Sequence, residues 1–310
     1  MKCIKKIAAI LLSAVIMGGV CGCASNDGVP VSDDAVTIVT SNFALYDFAR
    51  VYETDGIRAE MLIAPGTESH DLEATLSDVS VISEADIFVY AGGESDLWVE
   101  SLFASLGEGG ENIIRINALE LVGELHEHTQ EEHEHTHEAD EHTWTSIPNA
   151  ITLIEEIGRA IQKTDETKAL SPKAEEYVGE LNALDEEYRS LTETAKRLEV
   201  AVADRFPFTH MAEEYGIAYS AAFDGCTSNV EVPLSVISGM IEEVKVKELP
   251  AVFYIEFSDR TAVDAVCRET GAVPLLLHSC HNVTKEEFSS GVTYLDLMTQ
   301  NLENLKIALN

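Results

Sequence analysis

Two runs of alternating strand and helix patterns, separated by one long helical segment, constrain the fold of this chain more than any other feature. In the first run, apolar segments such as AVTIVTS and DIFVYAGG alternate with helical segments such as NFALYDFARVY. The second run repeats the alternation, with VAVAD, IAYSAAF, AVFYIEF and AVPLLLH as strands. Strands separated by helices form parallel sheets with right-handed crossovers, so the sequence predicts an α/β fold.

The segment between the two runs is predicted to form one helix over residues 171–199. Ser171 can cap its start and Pro172 can occupy its first turn. Apolar residues recur at steps of three and four, at Tyr177, Leu181, Leu184, Tyr188 and Leu191. At about 1.5 Å per residue this helix would cross a whole domain, so it would join two lobes rigidly.

The predicted domains follow from this helix. An N-terminal lobe covers residues 36–170, and a C-terminal lobe covers residues 200–310. Ligands of parallel sheets bind beyond the carboxyl ends of the strands, so we expect a binding cleft between the lobes.

The N-terminus has the pattern of an exported lipoprotein. Three lysines precede an apolar run that is too short to span a bilayer permanently. The stretch VCGC that follows is similar to a bacterial lipobox, with Cys23 as the predicted lipid-modified residue and Cys21 as the alternative. Residues 1–23 are therefore predicted to be a signal peptide and residues 24–35 a flexible tether, with the body of the protein held outside the cell membrane.

The charge of the chain favours cations as ligands. It carries 20 Lys plus Arg against 55 Asp plus Glu, for a net charge of −35. This balance repels nucleic acid, which we do not expect as a partner. The plain alternative is that the charge serves solubility.

An acidic segment over residues 124–141 is rich in histidine. It is predicted to be a loop that binds Zn²⁺ weakly and raises its concentration near the cleft, although a solvated loop without a role is the alternative. The letters HEHTH match the His-Glu-x-x-His motif of zinc proteases, but the surrounding residues offer no apolar face that a helix could bury. The accessory histidines are His126, His128, His133, His135 and His137.

Four other histidines follow strand-like segments, where a cleft ligand is expected. His70 follows MLIAPGTES, and His278 ends AVPLLLH. His142 closes the acidic loop beside Trp144, and His210 comes six residues after VAVAD.

The motifs around these residues resemble those of the metal-binding solute-binding lipoproteins of bacterial ABC importers for zinc and manganese. The resemblance runs over essentially the whole mature chain and is most specific in PGTESHDLE, YAGGESDLW, EHTW, ELNALDEEY and FYIEFSDR. It implies two lobes bridged by a rigid helix, with a metal held in the cleft by ligands from both lobes. It also implies delivery of the metal to a permease that is powered by a cytoplasmic ATPase, and we expect a monomer.

Carried over by position, His70 and His142 match the two ligands of the N-terminal lobe, and His278 matches the final ligand of the C-terminal lobe. The third position departs from the family pattern because RFPFTHMAEEYG places Arg205 there, and a guanidinium offers only donors. His210 is the predicted replacement. The open alternatives are Asp204, His281 or a water molecule.

The metal is predicted to be Zn²⁺, since imidazoles at a tetrahedral site suit zinc, whereas Mn²⁺ prefers more carboxylates. The expected function is binding and delivery rather than catalysis. The alternatives are a surface protein that buffers metal or acts as an adhesin and, less favoured, a zinc-dependent hydrolase, which would need an open coordination position beside a general base.

Three cysteines and two glutamates complete the expectations. Cys226 and Cys280 lie in loop-like sequence and are the preferred disulfide pair, whereas Cys267 lies in a predicted helix. Three unpaired thiols are the alternative. Glu231 and Glu256 could orient a ligand imidazole, although a capping or surface role is favoured.

Overall fold

The computed structural model describes residues 35–67, 75–127, 140–224 and 232–310. Several predicted features lie outside this part of the chain. They are the signal peptide, the tether, Cys23, His70, Cys226, Glu231 and the accessory histidines, of which His126 falls at a helix end whose side chains are likewise outside the description.

The N-terminal sheet holds four parallel strands within the described residues, in the order β2-β1-β3-β4. They are β1 (Val36–Thr40), β2 (Ile57–Met61), β3 (Ile87–Tyr90) and β4 (Ile114–Asn117). The helices of this lobe are α1 (Phe43–Arg50), α2 (Leu76–Ser83), α3 (Trp98–Leu106), α4 (Ala118–Glu127) and α5 (Ile147–Thr164). The pairings of β1 with β2, of β1 with β3 and of β3 with β4 are all parallel, as the alternation predicts.

The linking helix, α6 (Pro172–Thr194), is shorter than the predicted span of 171–199. Ser171 caps its start, where its side chain accepts a hydrogen bond from the Lys173 amide at 3.3 Å. The predicted apolar stripe is buried along its length. The helix ends at Thr194 because the chain must extend before the next strand begins at Glu199.

The C-terminal sheet repeats the topology of the first, in the order β6-β5-β7-β8. Its strands are β5 (Glu199–Phe206), β6 (Ala218–Asp224), β7 (Ala251–Tyr254) and β8 (Val273–Leu276). The helices of this lobe are α7 (Thr209–Tyr215), α8 (Leu234–Val246), α9 (Thr261–Thr270), α10 (Lys285–Ser290) and α11 (Tyr294–Leu309). The architecture confirms the predicted two-lobe α/β fold.

One apolar cluster runs from the first sheet through α6 into the second sheet. It joins Ile38 and Phe43 of the N-terminal lobe to Leu181 on α6 and to Phe253 and Leu302 of the C-terminal lobe. Since these side chains share one buried cluster, α6 fixes the two lobes at a defined spacing. The loops at the carboxyl ends of the two sheets therefore face a common region.

Within the described residues, no helix is both long enough and apolar enough to cross a membrane. Cys267 and Cys280 are buried free thiols. A free thiol at Cys280 contradicts its preferred pairing with Cys226, although Cys226 itself lies outside the described part of the chain. Burial raises the pKa of Cys280 well above its ordinary value, so the thiol stays protonated.

Candidate metal site

His142 stands at the start of a short 3-10 turn that leads into α5. Its side chain is 2% exposed, and its Nδ1 lies 2.7 Å from Oδ1 of Asp140. A carboxylate in this position accepts the Nδ1 proton and assigns the lone pair to Nε2, the nitrogen that can then bind a metal. This hydrogen bond therefore leaves Nε2 of His142 able to bind a metal.

Asp140 connects His142 to the C-terminal lobe. Its Oδ1 also accepts the His142 amide at 3.0 Å, and its Oδ2 accepts the Thr209 amide at 3.1 Å. Burial raises the pKa of the Asp140 carboxyl, but the attraction and hydrogen bonds of His142 outweigh burial and hold that pKa below its usual range. Asp140 is thus an anion that orients His142.

His281 is the histidine that meets His142 across the cleft. The centroids of the two imidazole rings lie 5.1 Å apart at an interplanar angle of 77°. The Trp144 ring packs against both, at 5.3 Å from His142 and 5.4 Å from His281. His281 is buried, as are His142 and Trp144, so the three rings form a cluster largely shielded from water, here named the imidazole corner.

His278 lies three residues earlier and makes a different set of contacts. Its Nδ1 accepts a hydrogen bond from the Cys280 amide at 2.9 Å and lies 3.8 Å from Oε2 of Glu256. Its backbone pairs with the Asn301 side chain, which accepts from the His278 amide at 2.7 Å and donates to its carbonyl at 2.8 Å. The described contacts of His278 are therefore with its own turn and with α11.

His210 also makes a contact other than with the paired imidazoles. Its Nε2 lies 2.7 Å from the carbonyl oxygen of Asp140, and a carbonyl only accepts, so Nε2 carries the proton. Arg205, which the sequence resemblance places at the third ligand position, has its Nε 3.8 Å from Oδ1 of Asp204. Through this hydrogen bond, His210 connects α7 to the end of the acidic segment.

The turn that carries His278 and His281 is bonded directly to the N-terminal lobe. Trp144 Nε1 donates to the Ser279 carbonyl at 2.8 Å, and the Phe43 amide donates to the His281 carbonyl at 2.9 Å. The Asn282 side chain donates to the carbonyls of Ala64 and Thr67, at 3.0 and 2.8 Å. These bonds hold candidate ligands from both lobes close together.

Two carboxylic acids, Glu141 and Asp96, lie beside the imidazole corner. Glu141 accepts hydrogen bonds from the amide and hydroxyl of Ser95. Asp96 accepts from the Gly92 amide at 3.0 Å, and burial together with the nearby Glu141 raises the pKa of Asp96 to about 7. The raised pKa allows Asp96 to hold a proton near neutral pH.

The described residues bring two imidazoles together, and they hold no group of three or more His, Cys, Asp or Glu arranged to bind a metal. His70 lies outside them. The sequence offered His281 only as one alternative for the missing third ligand. Its place five residues after β8, at the carboxyl edge of the sheet, marks it as a candidate but does not separate it from His278, which follows the same strand.

Comparison with known proteins adds independent findings. The family model described as "Zinc-uptake complex component A periplasmic" matches residues 38–308. The chain is 29% identical to the high-affinity zinc uptake system protein ZnuA of Bacillus subtilis, over 97% of this chain and 96% of that protein.

Two further similarities come from Streptococcus pneumoniae. The chain is 28% identical to the zinc-binding lipoprotein AdcA, over 89% of this chain, and spans 56% of the length of that relative. The crystal structure of the Zn(II)-bound ZnuA-like domain of AdcA superposes with a TM-score of 0.74 at 25% identity, and covers 89% of this chain and 99% of that domain.

Proposed function

Because the chain belongs to the family of periplasmic zinc-uptake components, we propose that it captures Zn²⁺ outside the cytoplasmic membrane and delivers it to an ABC permease. In this function zinc is cargo, and no covalent bond is made or broken. The family consists of solute-binding receptors for ABC transporters, so the permease and its ATPase are the expected partners.

The observation that carries the proposal is the His142–His281 pair with Asp140 behind it. A zinc–nitrogen distance of about 2.0 Å at a tetrahedral angle would separate the centroids of two ligating imidazoles by about 5 Å. The observed separation is 5.1 Å. The Asp140 carboxylate orients His142 in the manner common to zinc-binding histidines.

We assign the third ligand to His70. Thr67 precedes it by three residues, and the side-chain amide of Asn282, the neighbour of His281, donates a hydrogen bond to the Thr67 carbonyl at 2.8 Å. Three extended residues span about 10 Å, which is enough to reach the imidazole corner from Thr67. Three imidazoles and one further ligand make a typical zinc coordination set, whereas a manganese site would contain more carboxylates.

The remaining predicted ligands take other roles in this proposal. His210 bonds to the Asp140 carbonyl, and His278 bonds to the Cys280 amide. The accessory histidines between residues 124 and 139 collect zinc near the cleft. Cys23 anchors the protein to the outer face of the membrane, and the receptor acts as a monomer.

The leading alternative is a surface protein that buffers metal or acts as an adhesin, in which the acidic loop rather than the cleft binds zinc. Calorimetric titration with Zn²⁺ and Mn²⁺ separates the two functions. We would compare the wild type with a deletion of residues 128–139, with His142→Ala, with His281→Ala and with the exposed control Glu108→Gln.

We expect one tight zinc site that survives the deletion and the control substitution. It should be lost in both histidine variants, because each removes a coordinating imidazole. Tight binding that disappears with the loop but persists in His142→Ala and His281→Ala would make the protein a metal buffer and overturn the proposal.

A further inference from the structure

The backbone of the turn after β8 adopts a conformation that side chains must stabilise. Cys280 has a φ of 61°, in the left-handed region that residues with a Cβ rarely occupy. Such a conformation persists where surrounding contacts over-determine it. Here the nearest contact is internal to the turn, because the Cys280 amide donates to His278 Nδ1 at 2.9 Å.

This hydrogen bond fixes the tautomer of His278. A backbone amide can only donate, so Nδ1 must be the acceptor and the proton of the neutral imidazole must lie on Nε2. An imidazole in that state has no second lone pair for a metal. His278 and His142 therefore differ in kind, since Asp140 assigns the lone pair of His142 to Nε2.

Glu256 holds the same turn from the side of β7. It accepts hydrogen bonds from the amide of Ser279, at 2.8 Å, and from the Ser279 hydroxyl. The Ser279 hydroxyl in turn accepts the His281 amide at 3.3 Å. The two anchors, His278 and Glu256, thus act on consecutive peptide units just before His281.

The conformation of this turn determines where the His281 side chain points. With Cys280 in the left-handed region, the chain reverses between His278 and His281, and the His281 ring packs against His142 and Trp144. Without the internal acceptor, the turn would lose the contact that holds the Cys280 amide.

We propose that His278 is a positioning residue for zinc capture and not a zinc ligand. Its Nδ1 holds the Cys280 amide and so keeps the His281 imidazole directed at His142. This assignment rests on the proposed function, in which zinc binds between His142 and His281, and it replaces the ligand role predicted for His278 from its position in the family pattern.

The test uses two substitutions that separate the roles. In His278→Asn, the amide oxygen takes the place of Nδ1 and still accepts from the Cys280 amide, but Asn lacks an imidazole. In His278→Leu, both the acceptor and the imidazole are lost. Zinc affinity is measured by competition with a chelating dye, and X-ray absorption at the zinc edge counts the coordinating imidazoles, with His281→Ala as the reference for a lost ligand.

We expect His278→Asn to keep the affinity and the imidazole count of the wild type. His278→Leu should bind zinc about 10- to 100-fold more weakly, which is typical of a lost outer contact, with an unchanged imidazole count. Thermal unfolding shows whether His278→Leu is folded, and His278→Asn carries the test if it is not.

Two results would overturn the assignment. In one, His278→Asn weakens binding as much as His281→Ala and loses one imidazole, which would make His278 a ligand. In the other, His278→Leu binds zinc as tightly as the wild type, which would show that the acceptor is not needed. Failure of the wild type itself to bind zinc would instead reject the proposed function from which this assignment starts.

Discussion

At the scale of single residues, the account depends on which nitrogen of each histidine carries a proton. The Asp140 carboxylate accepts the Nδ1 proton of His142 and leaves its Nε2 lone pair available, whereas the Cys280 amide occupies the Nδ1 lone pair of His278. The family pattern predicts both residues as metal ligands. Their hydrogen-bond partners distinguish them, and those partners depend on the three-dimensional structure.

Asp140→Asn should weaken zinc binding by about 10- to 100-fold, because the substitution removes the charge that supports the His142 imidazole and replaces the acceptor of the Thr209 amide. Competition titration with a chelating dye measures the effect. The matched control is Asp165→Asn, which replaces a partly exposed carboxylate that accepts from the Thr167 amide at 2.9 Å. Equal affinities of the two variants would contradict the orienting role of Asp140.

Asp96 should make the free energy of unfolding depend on pH. Burial raises the pKa of Asp96 from 3.8 to about 7, so the folded protein retains a proton that the unfolded chain releases. This contribution is fully present below pH 3.8 and is lost as pH rises through about 7, by up to about 4 kcal/mol.

The measurement is denaturant unfolding of wild type and Asp96→Asn between pH 4 and pH 8. Asp96→Asn should gain stability relative to the wild type as pH rises, since it carries no ionisable carboxyl. The exposed control Glu108→Gln should follow the wild type. A pH-independent difference between Asp96→Asn and wild type would reject the raised pKa.

At the scale of helices, an exposed and a buried helical glycine should respond to alanine in opposite ways. Gly179 is exposed within α6, and a Cβ there would meet no atom within 4 Å. Gly158 lies within α5, and a Cβ there would approach Tyr52 Oη to 2.7 Å.

Gly179→Ala should stabilise the protein by about 0.5 to 1 kcal/mol, because alanine lowers the entropic cost of forming the helix. Gly158→Ala should destabilise it by about 1 to 3 kcal/mol, since Tyr52 must move away from its bond to the Ile154 carbonyl. Chemical denaturation of both variants tests the pair. A change of the same sign in the free energy of unfolding of both variants would show that packing at Gly158 is not tight.

Much of the element pattern was predictable because it depends on local signals. The four strands of the C-terminal lobe and the start of α6 at Ser171 and Pro172 follow from apolar runs and capping residues. The end of α6 was not predictable from local signals, because the residues KRLE that follow it are compatible with a helix. In the structure the chain extends there to enter β5. The short strand β4 was missed because four residues give too little periodicity to recognise.

The sequence predicts His142 as one member of the observed imidazole pair, but it does not select His281 as the other member. Strand order places every loop at the carboxyl edge, so several histidines qualify equally. The selection of His281 over His278 depends on the left-handed backbone at Cys280 and on Glu256 beyond it. Those are contacts between distant segments, which a single sequence does not specify.

At the scale of the whole molecule, zinc should stabilise both lobes together, because its ligands come from each. A ligand at 100 times its dissociation constant adds about 2.7 kcal/mol to the free energy of unfolding. Thermal unfolding with and without zinc should show a large upward shift in wild type. It should show little shift in His142→Ala or His281→Ala, and an equal shift in all three would place the stabilising zinc elsewhere.

The central claim is that zinc binds between His142 and His281, and anomalous diffraction at the zinc edge from crystals with one equivalent of zinc tests it most directly. We predict one strong peak within bonding distance of His142 Nε2 and of a ring nitrogen of His281, with His70 completing the imidazole set. A peak bound by His278 instead of His281, or one confined to residues 124–139, would contradict the account.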